Sequence, residues 1–265
     1  MVINAGAFPT AELNSSFYRW PRPVAFRNWQ DRLPDEFRLS VKAPRGLTHA
    51  RKVYAPETWL RRIQPGWHEL GGKRAALLVQ LPPTQPRDDV RLAYFLAQVP
   101  GWMRVAVEFR HPSWHCEEII TLLAAHRAAY CVMSGANLPC VLRATTDFVY
   151  LRMHGPDHHH LYAGSYPDAD LAWWADRIRE WSLTGQDVFV YFNNDGDANA
   201  VRNARALRAL LASDGVSYPG TALQLVRERE PAGDRDHVSS YLQLAHHTCP
   251  RHPGPLGADP ISRRD

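Results

Sequence analysis

The feature of this sequence that most constrains its fold is a short apolar segment that recurs seven times and ends each time in polar residues. The segments lie at residues 11–18, 37–44, 75–83, 104–114, 128–135, 147–155 and 187–197. Each is rich in β-branched or aromatic residues and too short for a buried helix, which predicts a buried parallel strand. Polar ends on all seven predict a functional site at the C-terminal edge of the sheet, because the loops after parallel strands build such sites.

Segments with helical spacing lie between the strands, at residues 23–33, 56–70, 87–99, 116–127, 170–185 and 198–213. In the fifth, apolar residues recur on one helix face, at Leu171, Trp174, Ile178 and Trp181. Alternating strands and helices leave two architectures, an open doubly wound sheet and a closed (β/α) barrel. No GxGxxG follows the first strand and no GxxxxGKS occurs, so the nucleotide signatures common in open sheets are missing. The sequence therefore favours an α/β fold of the TIM-barrel type.

The chain divides into two parts by composition. Residues 1–214 are predicted to form the barrel. Residues 215–265, rich in Pro, Gly, His and charge, are predicted to be a largely disordered tail with at most a short helix at 237–247. The four cysteines form no CxxC pair and are expected to be reduced thiols. Neither a signal-like N-terminus nor 18 consecutive apolar residues occur, so we expect a cytoplasmic protein that does not enter membranes.

The strongest local candidate for chemistry is the segment 104–114, in which Glu108, Arg110 and His111 end a strand. Glu108 and Arg110 share one face of a strand, so the guanidinium is expected to hold the carboxylate close to the imidazole. An acid and a base of separable pKa would then be available. The alternative is a buried ion pair that only stabilises the barrel mouth.

Cations at neighbouring strand ends predict an anionic ligand. Arg152 and His154 share one face of the segment 147–155, and Lys42 lies near the end of the segment 37–44. Phosphate or carboxylate is the ligand group that such cations bind. The same cations oppose a divalent metal, so no metal site is predicted, and no cofactor is identified.

Further polar residues complete the predicted mouth. Glu12 and Asn14 are expected to share a face of the first strand, with Tyr18 beyond its end. Consecutive amides at a strand end are costly to bury and suit a polar ligand. The remaining candidates are Gln80, Asn193, Asn194 and Asp195.

Six ordered strings resemble one known family. They are LNSSFYRWP, FRLSVKAPRGLTH, LLVQLPP, VAVEFRHPSW, FVYLRMHG followed by YAGSY, and YFNND. The chain resembles, over residues 8 to about 211, the family catalogued as domain of unknown function 72, the YecE-like proteins. The resemblance implies a TIM barrel and leaves the activity open. It also implies site roles for the residues above and for Tyr162 and Tyr166.

Two departures from that family pattern concern the strands. Family members usually open with a further strand carrying Gly, Ser and Gly-Trp, which is missing ahead of LNSSFY. The resemblance implies either that the start is set too far downstream or that the barrel lacks this strand, which would leave two neighbouring strands with unpaired edges. An aspartate commonly ends the family's sixth strand, and this chain has Ser134 there.

Three functions are compatible with the sequence. The leading hypothesis is a hydrolase or isomerase acting on a phosphorylated or polyhydroxylated substrate. In it, Glu108 acts as acid or base with His111 or His154, and Lys42, Arg110 and Arg152 hold the anion. The second is a nucleic-acid binding or processing protein, indicated by a net charge of +4 and by four aromatic residues expected to be exposed: Trp20, Trp114, Tyr162 and Tyr166. The third is a truncated, inactive barrel. The oligomeric state is not predicted.

Overall fold

Seven parallel strands form the wall of a barrel in the computed structural model, which describes residues 7–157, 159–212 and 224–225. The strands are β1 (Thr10–Leu13), β2 (Arg38–Lys42), β3 (Arg74–Gln80), β4 (Val105–Glu108), β5 (Ala129–Ser134), β6 (Phe148–Met153) and β7 (Asp187–Phe192). They pair in chain order, each parallel to the next. An eighth strand, β8 (Gln224–Leu225), pairs antiparallel with β7.

Helices separate successive parallel strands along most of the described chain. They are α1 (Pro23–Arg32), α2 (Glu57–Glu69), α3 (Asp89–Gln98), α4 (Glu117–Ala125), α5 (Asp168–Leu183) and α6 (Asn199–Ala212). Every strand and helix predicted within residues 11–213 is present, and the predicted (β/α) barrel is confirmed.

Two apolar layers stabilise the barrel. Between strands and helices lies the larger layer, which includes the predicted face of α5: Leu171, Trp174, Ile178 and Trp181 are each at most 2% exposed. Burial of each such side chain contributes roughly 1.5–3 kcal/mol. The inner layer fills the barrel with inward-facing residues such as Ala76, Ala106, Phe148 and Phe189. Because inward residues alternate along each strand, the same alternation aims polar side chains into both ends of the barrel.

β1 is shorter than predicted. The strand ends at Leu13, and Ser15–Phe17 form a single 3₁₀ turn. The Ser16 hydroxyl explains this turn, because it lies 2.7 Å from the carbonyl oxygens of both Leu13 and Lys42 and so draws the chain across the end of β2. Asn14 follows the strand, and the prediction that it shares a strand face with Glu12 is wrong.

The barrel closes between β1 and β7 through side chains. Within the described residues no backbone ladder joins these two strands. The Tyr191 hydroxyl instead lies 2.8 Å from Thr10 Oγ1 and donates to Ser40 Oγ at 2.8 Å. The free side of β7 pairs with β8 at Val188 and Phe189. The barrel is therefore nearly closed, with a seam between β1 and β7.

Three other expectations have different outcomes. The tail predicted at 215–265 lies outside the described residues except for β8, as does the helix predicted at 237–247. Cys140 is disulfide-bonded, so the expectation of reduced thiols is wrong for this residue, whereas Cys116 and Cys131 are free. In the described part of the chain, no helix combines the length and apolar character needed to cross a membrane.

Candidate functional site

Four charged side chains meet inside the C-terminal end of the barrel, and we refer to Glu12, Glu108, Arg110 and Arg152 as the charge cluster. Arg152 donates through Nε and Nη2 to the two oxygens of Glu12 at 3.0 and 2.7 Å. Its Nη1 donates to Glu108 Oε2 at 2.6 Å. Arg110 Nε donates to the other oxygen of Glu108. The predicted Glu108–Arg110 pair is confirmed, and all four side chains are at most 7% exposed.

The charge cluster keeps Glu108 ionised. Burial opposes its ionisation, but the guanidinium groups of Arg152 and Arg110 outweigh burial and hold the pKa of Glu108 below its usual range. An ionised carboxylate has no proton to donate at neutral pH, and both oxygens of Glu108 already accept hydrogen bonds. Within the described residues, Glu108 therefore serves to orient the two guanidinium groups, which argues against its use as a general acid.

His154 lies against the charge cluster as a neutral ring. Its Nε2 lies 3.1 Å from Arg110 Nη2 and 3.9 Å from Glu108 Oε2. Burial lowers the pKa of His154 well below its usual value despite the nearby Glu108. Since Nε2 accepts from Arg110, we assign the ring proton to Nδ1. That atom is buried and has no hydrogen-bond partner among the described residues.

The stability of the protein is expected to fall as the pH drops below about 6.5, the usual pKa of histidine. The unfolded chain protonates His154 there, while the folded chain keeps it neutral, so the unfolded state binds more protons and gains stability. The slope approaches about 1.4 kcal/mol per pH unit, or about 2 kcal/mol by pH 5. Urea unfolding at pH 7.5 and 5.0 measures how much the free energy of unfolding falls between these two pH values. This fall should be about 2 kcal/mol smaller in His154→Gln than in the parent.

Exposed His160 provides the matched control, because His160→Gln should leave the pH dependence unchanged. His49 and His115, whose pKa values are also lowered by burial, remain in both variants. Glu108 contributes stability that is lost only below its unfolded-state pKa, at more acid pH than 5. An unaltered pH dependence in His154→Gln would show that the ring is not held neutral.

Lys42 carries a positive charge that no acidic side chain neutralises directly. Its Nζ lies 4.6 Å from the centre of the Phe17 ring and has no ion pair or hydrogen bond within the described residues. Burial, together with Arg152 and Arg110, lowers the pKa of Lys42 to about 8.

His49, which the sequence analysis did not select, packs edge-to-face on Phe17 with ring centres 4.9 Å apart. Its position in the string FRLSVKAPRGLTH was the only signal that pointed to it.

A cavity of about 290 Å³ lies along the seam between β1 and β7, against α6. Four predicted candidates line it: exposed Asn14 and Asp195, partly buried Asn193, and Glu12, whose side chain is buried. Asn193 Oδ1 lies 3.4 Å from Arg152 Nη2, and its Nδ2 is buried without a partner in the described part of the chain. The mouth is therefore open beside the charge cluster.

Three further candidates lie around this opening. Gln80 lies beside Glu108 in the β3–β4 register. Tyr162 is 48% exposed, with its ring edge-to-face on His154 at 5.4 Å. Tyr18 is 84% exposed and contacts Phe17. All three are placed where a ligand in the mouth could reach them.

Three predicted candidates point elsewhere. The His111 ring pairs with Ser113, with Nδ1 2.9 Å from Oγ, rather than with Glu108. Asn194 is fully buried and donates to Gly164 O and to Asn203, because side chains alternate and Asn193 takes the inward position. The Tyr166 hydroxyl lies 3.0 Å from Ser134 Oγ and accepts from the Gly155 N–H. These residues hold the loops behind the mouth.

The expectation of exposed aromatic residues is wrong for three of the four residues. Trp20, Trp114 and Tyr166 are 8%, 1% and 4% exposed. Trp114 stacks on Phe109 with ring centres 4.8 Å apart, and its indole N–H donates to Gln85 O. The nucleic-acid hypothesis therefore loses the stacking surface that single strands use.

The two buried carboxylates of the mouth, those of Glu12 and Glu108, are already used by protein donors. Both oxygens of Glu12 accept from Arg152, and Oε2 also accepts from the Tyr150 hydroxyl at 2.7 Å. Among residues 7–157 and 159–212, no three His, Cys, Asp or Glu side chains are grouped as metal ligands. The donor set of the mouth thus suits an anion better than a cation.

Comparison with models of protein families shows to which family this chain is related. Residues 3–225 match the family described as "Protein of unknown function DUF72". The chain belongs to the DUF72 family. This match bears out the resemblance seen in the six strings.

Named relatives and solved structures agree with this membership. UPF0759 protein YunF of Bacillus subtilis (strain 168) is 27% identical over 248 residues, covering 81% of this chain and 86% of that protein. UPF0759 protein YecE of Escherichia coli (strain K12) is 28% identical over 108 residues, 40% of each chain. The crystal structure of a DUF72 family protein from Enterococcus faecalis V583 has a TM-score of 0.71 at 18% identity, covering 84% of this chain and 89% of that one. Another, from Thermotoga maritima MSB8, has a TM-score of 0.67 at 26% identity, covering 77% and 84%. The two solved structures share the fold of this chain, and the names of all four proteins state no activity.

Proposed function

We propose that this DUF72 protein is an enzyme that binds a phosphorylated or polyhydroxylated substrate at the C-terminal mouth and hydrolyses or isomerises it. One observation carries the proposal: three hydrogen-bond donors at the mouth have no partner among the described residues. They are Lys42 Nζ, His154 Nδ1–H and Asn193 Nδ2. A buried donor without a partner costs about 1–3 kcal/mol, so a ligand rich in oxygen acceptors fits this set.

The substrate would occupy the cavity between β1 and β7. Its volume of about 290 Å³ suits a small metabolite. Asp195 is exposed on its wall and pairs with no arginine in the described part of the chain, so it is better placed than Glu108 to act as general base. Lys42 does not line this cavity but ends β2, the neighbour of β1. It would hold an anionic group that extends from the cavity over the end of β2, and the charge cluster acts as a positioning element behind it.

The two other hypotheses have less support. Nucleic-acid binding now depends on the net charge of +4 and on Tyr162, the one exposed residue of the four predicted aromatic residues. An inactive barrel does not account for the charge cluster, because ion pairs this deeply buried are often no more stabilising than apolar residues of the same size. Neither hypothesis explains the three donors without partners.

Anion binding at the mouth is expected to depend on Lys42. We would titrate the protein with glucose 6-phosphate, inorganic phosphate and glucose, following the melting temperature and the heat of binding. Lys42→Met should weaken binding of the phosphorylated probes about tenfold, by losing one charge-assisted hydrogen bond. Lys52→Met, also a lysine-to-methionine change but at a residue of the β2–α2 loop that lines neither cavity, should bind like the parent.

The pH dependence of binding has a defined sign. Lys42 loses its proton as the pH rises through about 8, so phosphate should bind more weakly at pH 9 than at pH 7 in the parent and show less change in Lys42→Met. For any probe that is turned over, Asp195→Asn should retain binding and lose turnover. Equal affinities in parent and Lys42→Met, or no binding of any probe, would contradict the proposal.

A further inference from the structure

A second cavity, of about 390 Å³, lies at the opposite end of the barrel, where the strands begin. Three arginines line it: Arg38 is the first residue of β2, Arg74 is the first of β3, and Arg104 immediately precedes β4. Arg38 and Lys42 are four residues apart on β2, so at ~3.3 Å per residue the cavity is about 13 Å from the mouth. It is therefore separate from the proposed substrate site.

Strand pairing brings two of these arginines to one cavity. Both Arg38 and Arg74 line it, and the β2–β3 register shifts between Leu39 and Val41, just beyond their positions. β2 and β3 are neighbours, with Leu39 paired to Arg74, and adjacent strands lie about 4.8 Å apart. The two arginines therefore start on adjoining positions of the same cavity wall.

The three arginines differ in how their charge is neutralised. Arg104 donates to Asp187 Oδ2 at 2.8 Å and to Asp147 Oδ2 at 3.1 Å. Arg38 Nη1 donates to the backbone carbonyl oxygens of Asp35 and Phe37, and no carboxylate of the described residues lies within 4 Å of its guanidinium. Its charge is thus solvated by peptide groups and not balanced by an ion pair.

The positive charge of Arg74 has fewer polar partners than the charge of Arg38 among the described residues. Its guanidinium lies over the Trp102 ring at 4.7 Å from the ring centre. Its Nη1 is buried and has no hydrogen-bond partner in the described part of the chain. Burial lowers the pKa of Arg74, and it lowers the pKa of Arg38 although the negative charges of Asp187 and Glu36 oppose the change.

We propose that this cavity binds a small oxyanion, a phosphate or carboxylate group, between Arg38 and Arg74. A fork of N–H donors on each guanidinium matches the oxygens of such a group. The Trp102 ring holds the guanidinium plane of Arg74 in position. Space is available beside the Gly71–Gly72 turn that lines the cavity, since a Cβ on Gly72 would meet no atom within 4 Å.

Calorimetric titration of the full chain at constant ionic strength tests this site. Inorganic phosphate and succinate are the two probes, and they distinguish a phosphate ligand from a carboxylate ligand. The parent is compared with Arg74→Met, Arg38→Met, Lys42→Met and Arg62→Met. Arg62 is the matched control, because its guanidinium also lies over a tryptophan, Trp59, at 5.4 Å but outside the cavity.

The expected result is at least a tenfold loss of affinity for one probe in both Arg74→Met and Arg38→Met, with parent-like binding in Arg62→Met. Lys42→Met should keep this binding event, which separates it from any anion bound at the mouth. Circular dichroism checks that each variant is folded, and if Arg74→Met fails to fold, Arg38→Met decides the question. Three outcomes would overturn the proposal: parent-like affinity in the folded arginine variants, binding that is lost only in Lys42→Met, or no binding of either probe.

Discussion

Replacing Arg152 with alanine is expected to lower the free energy of unfolding by about 3–5 kcal/mol. Arg152 supplies two hydrogen bonds to Glu12 and one to Glu108. Removing it leaves two buried carboxylates with an excess of negative charge, and burying an uncompensated charge is among the most costly changes in a core. At roughly 2–4 °C per kcal/mol for a chain of this size, the melting temperature should fall by about 6–20 °C.

An exposed arginine that makes the same kind of pair is the control. Arg27 also donates twice to one carboxylate, that of Glu69, but on the surface, where such pairs contribute little. Arg27→Ala should leave the melting temperature nearly unchanged. Combining Arg152→Met with Glu12→Gln should recover much of the lost stability, because Glu108 stays paired with Arg110 and no uncompensated charge remains. If this double variant were as unstable as Arg152→Ala, packing rather than charge would be the cause.

Replacing Gly155 with alanine is expected to cost about 3 kcal/mol of stability and to weaken ligand binding at the mouth. Gly155 follows β6 with φ of +99°, and an added Cβ would lie 2.2 Å from the carbonyl oxygen of Ala163. A backbone oxygen cannot move aside as a flexible side chain can, so the segment between Gly155 and Ala163 would have to shift. That segment carries Tyr162, whose ring packs on His154.

Urea unfolding and the phosphate titration measure the two effects of Gly155→Ala. Gly101→Ala is the control, because an added Cβ there meets no atom within 4 Å and its φ is not positive. That change should be neutral or slightly stabilising, by roughly 0.4–1 kcal/mol. Equal stability of the two variants would show that the segment after β6 adapts freely and does not constrain the mouth.

Prediction from the sequence succeeded where the signal is a local repeat. Strand alternation placed Glu108 and Arg110 on one face, and the structure pairs them. Helical spacing in α5 selected four of its buried apolar residues, Leu171, Trp174, Ile178 and Trp181. The predicted length of β1 was wrong because the Ser16 hydroxyl donates a hydrogen bond to the carbonyl oxygen of Lys42. That partner is 26 residues away, and no local pattern reveals it.

The sequence by itself determined the order of strands and helices and the edge of the sheet at which the candidate residues collect, because both follow from local patterns along the chain. It favoured the closed barrel over an open sheet through the missing nucleotide motifs and the family resemblance. Only the tertiary structure decided which polar residues meet. Arg152 reaches Glu12 across 140 positions of the chain, while His111, one residue from Arg110, turns away to Ser113. The same closure brought Arg38 and Arg74 together at the other end. The reason is physical: a period sets the direction of a side chain, but its partner and its charge state depend on strand register and on burial, which arise only when distant segments pack.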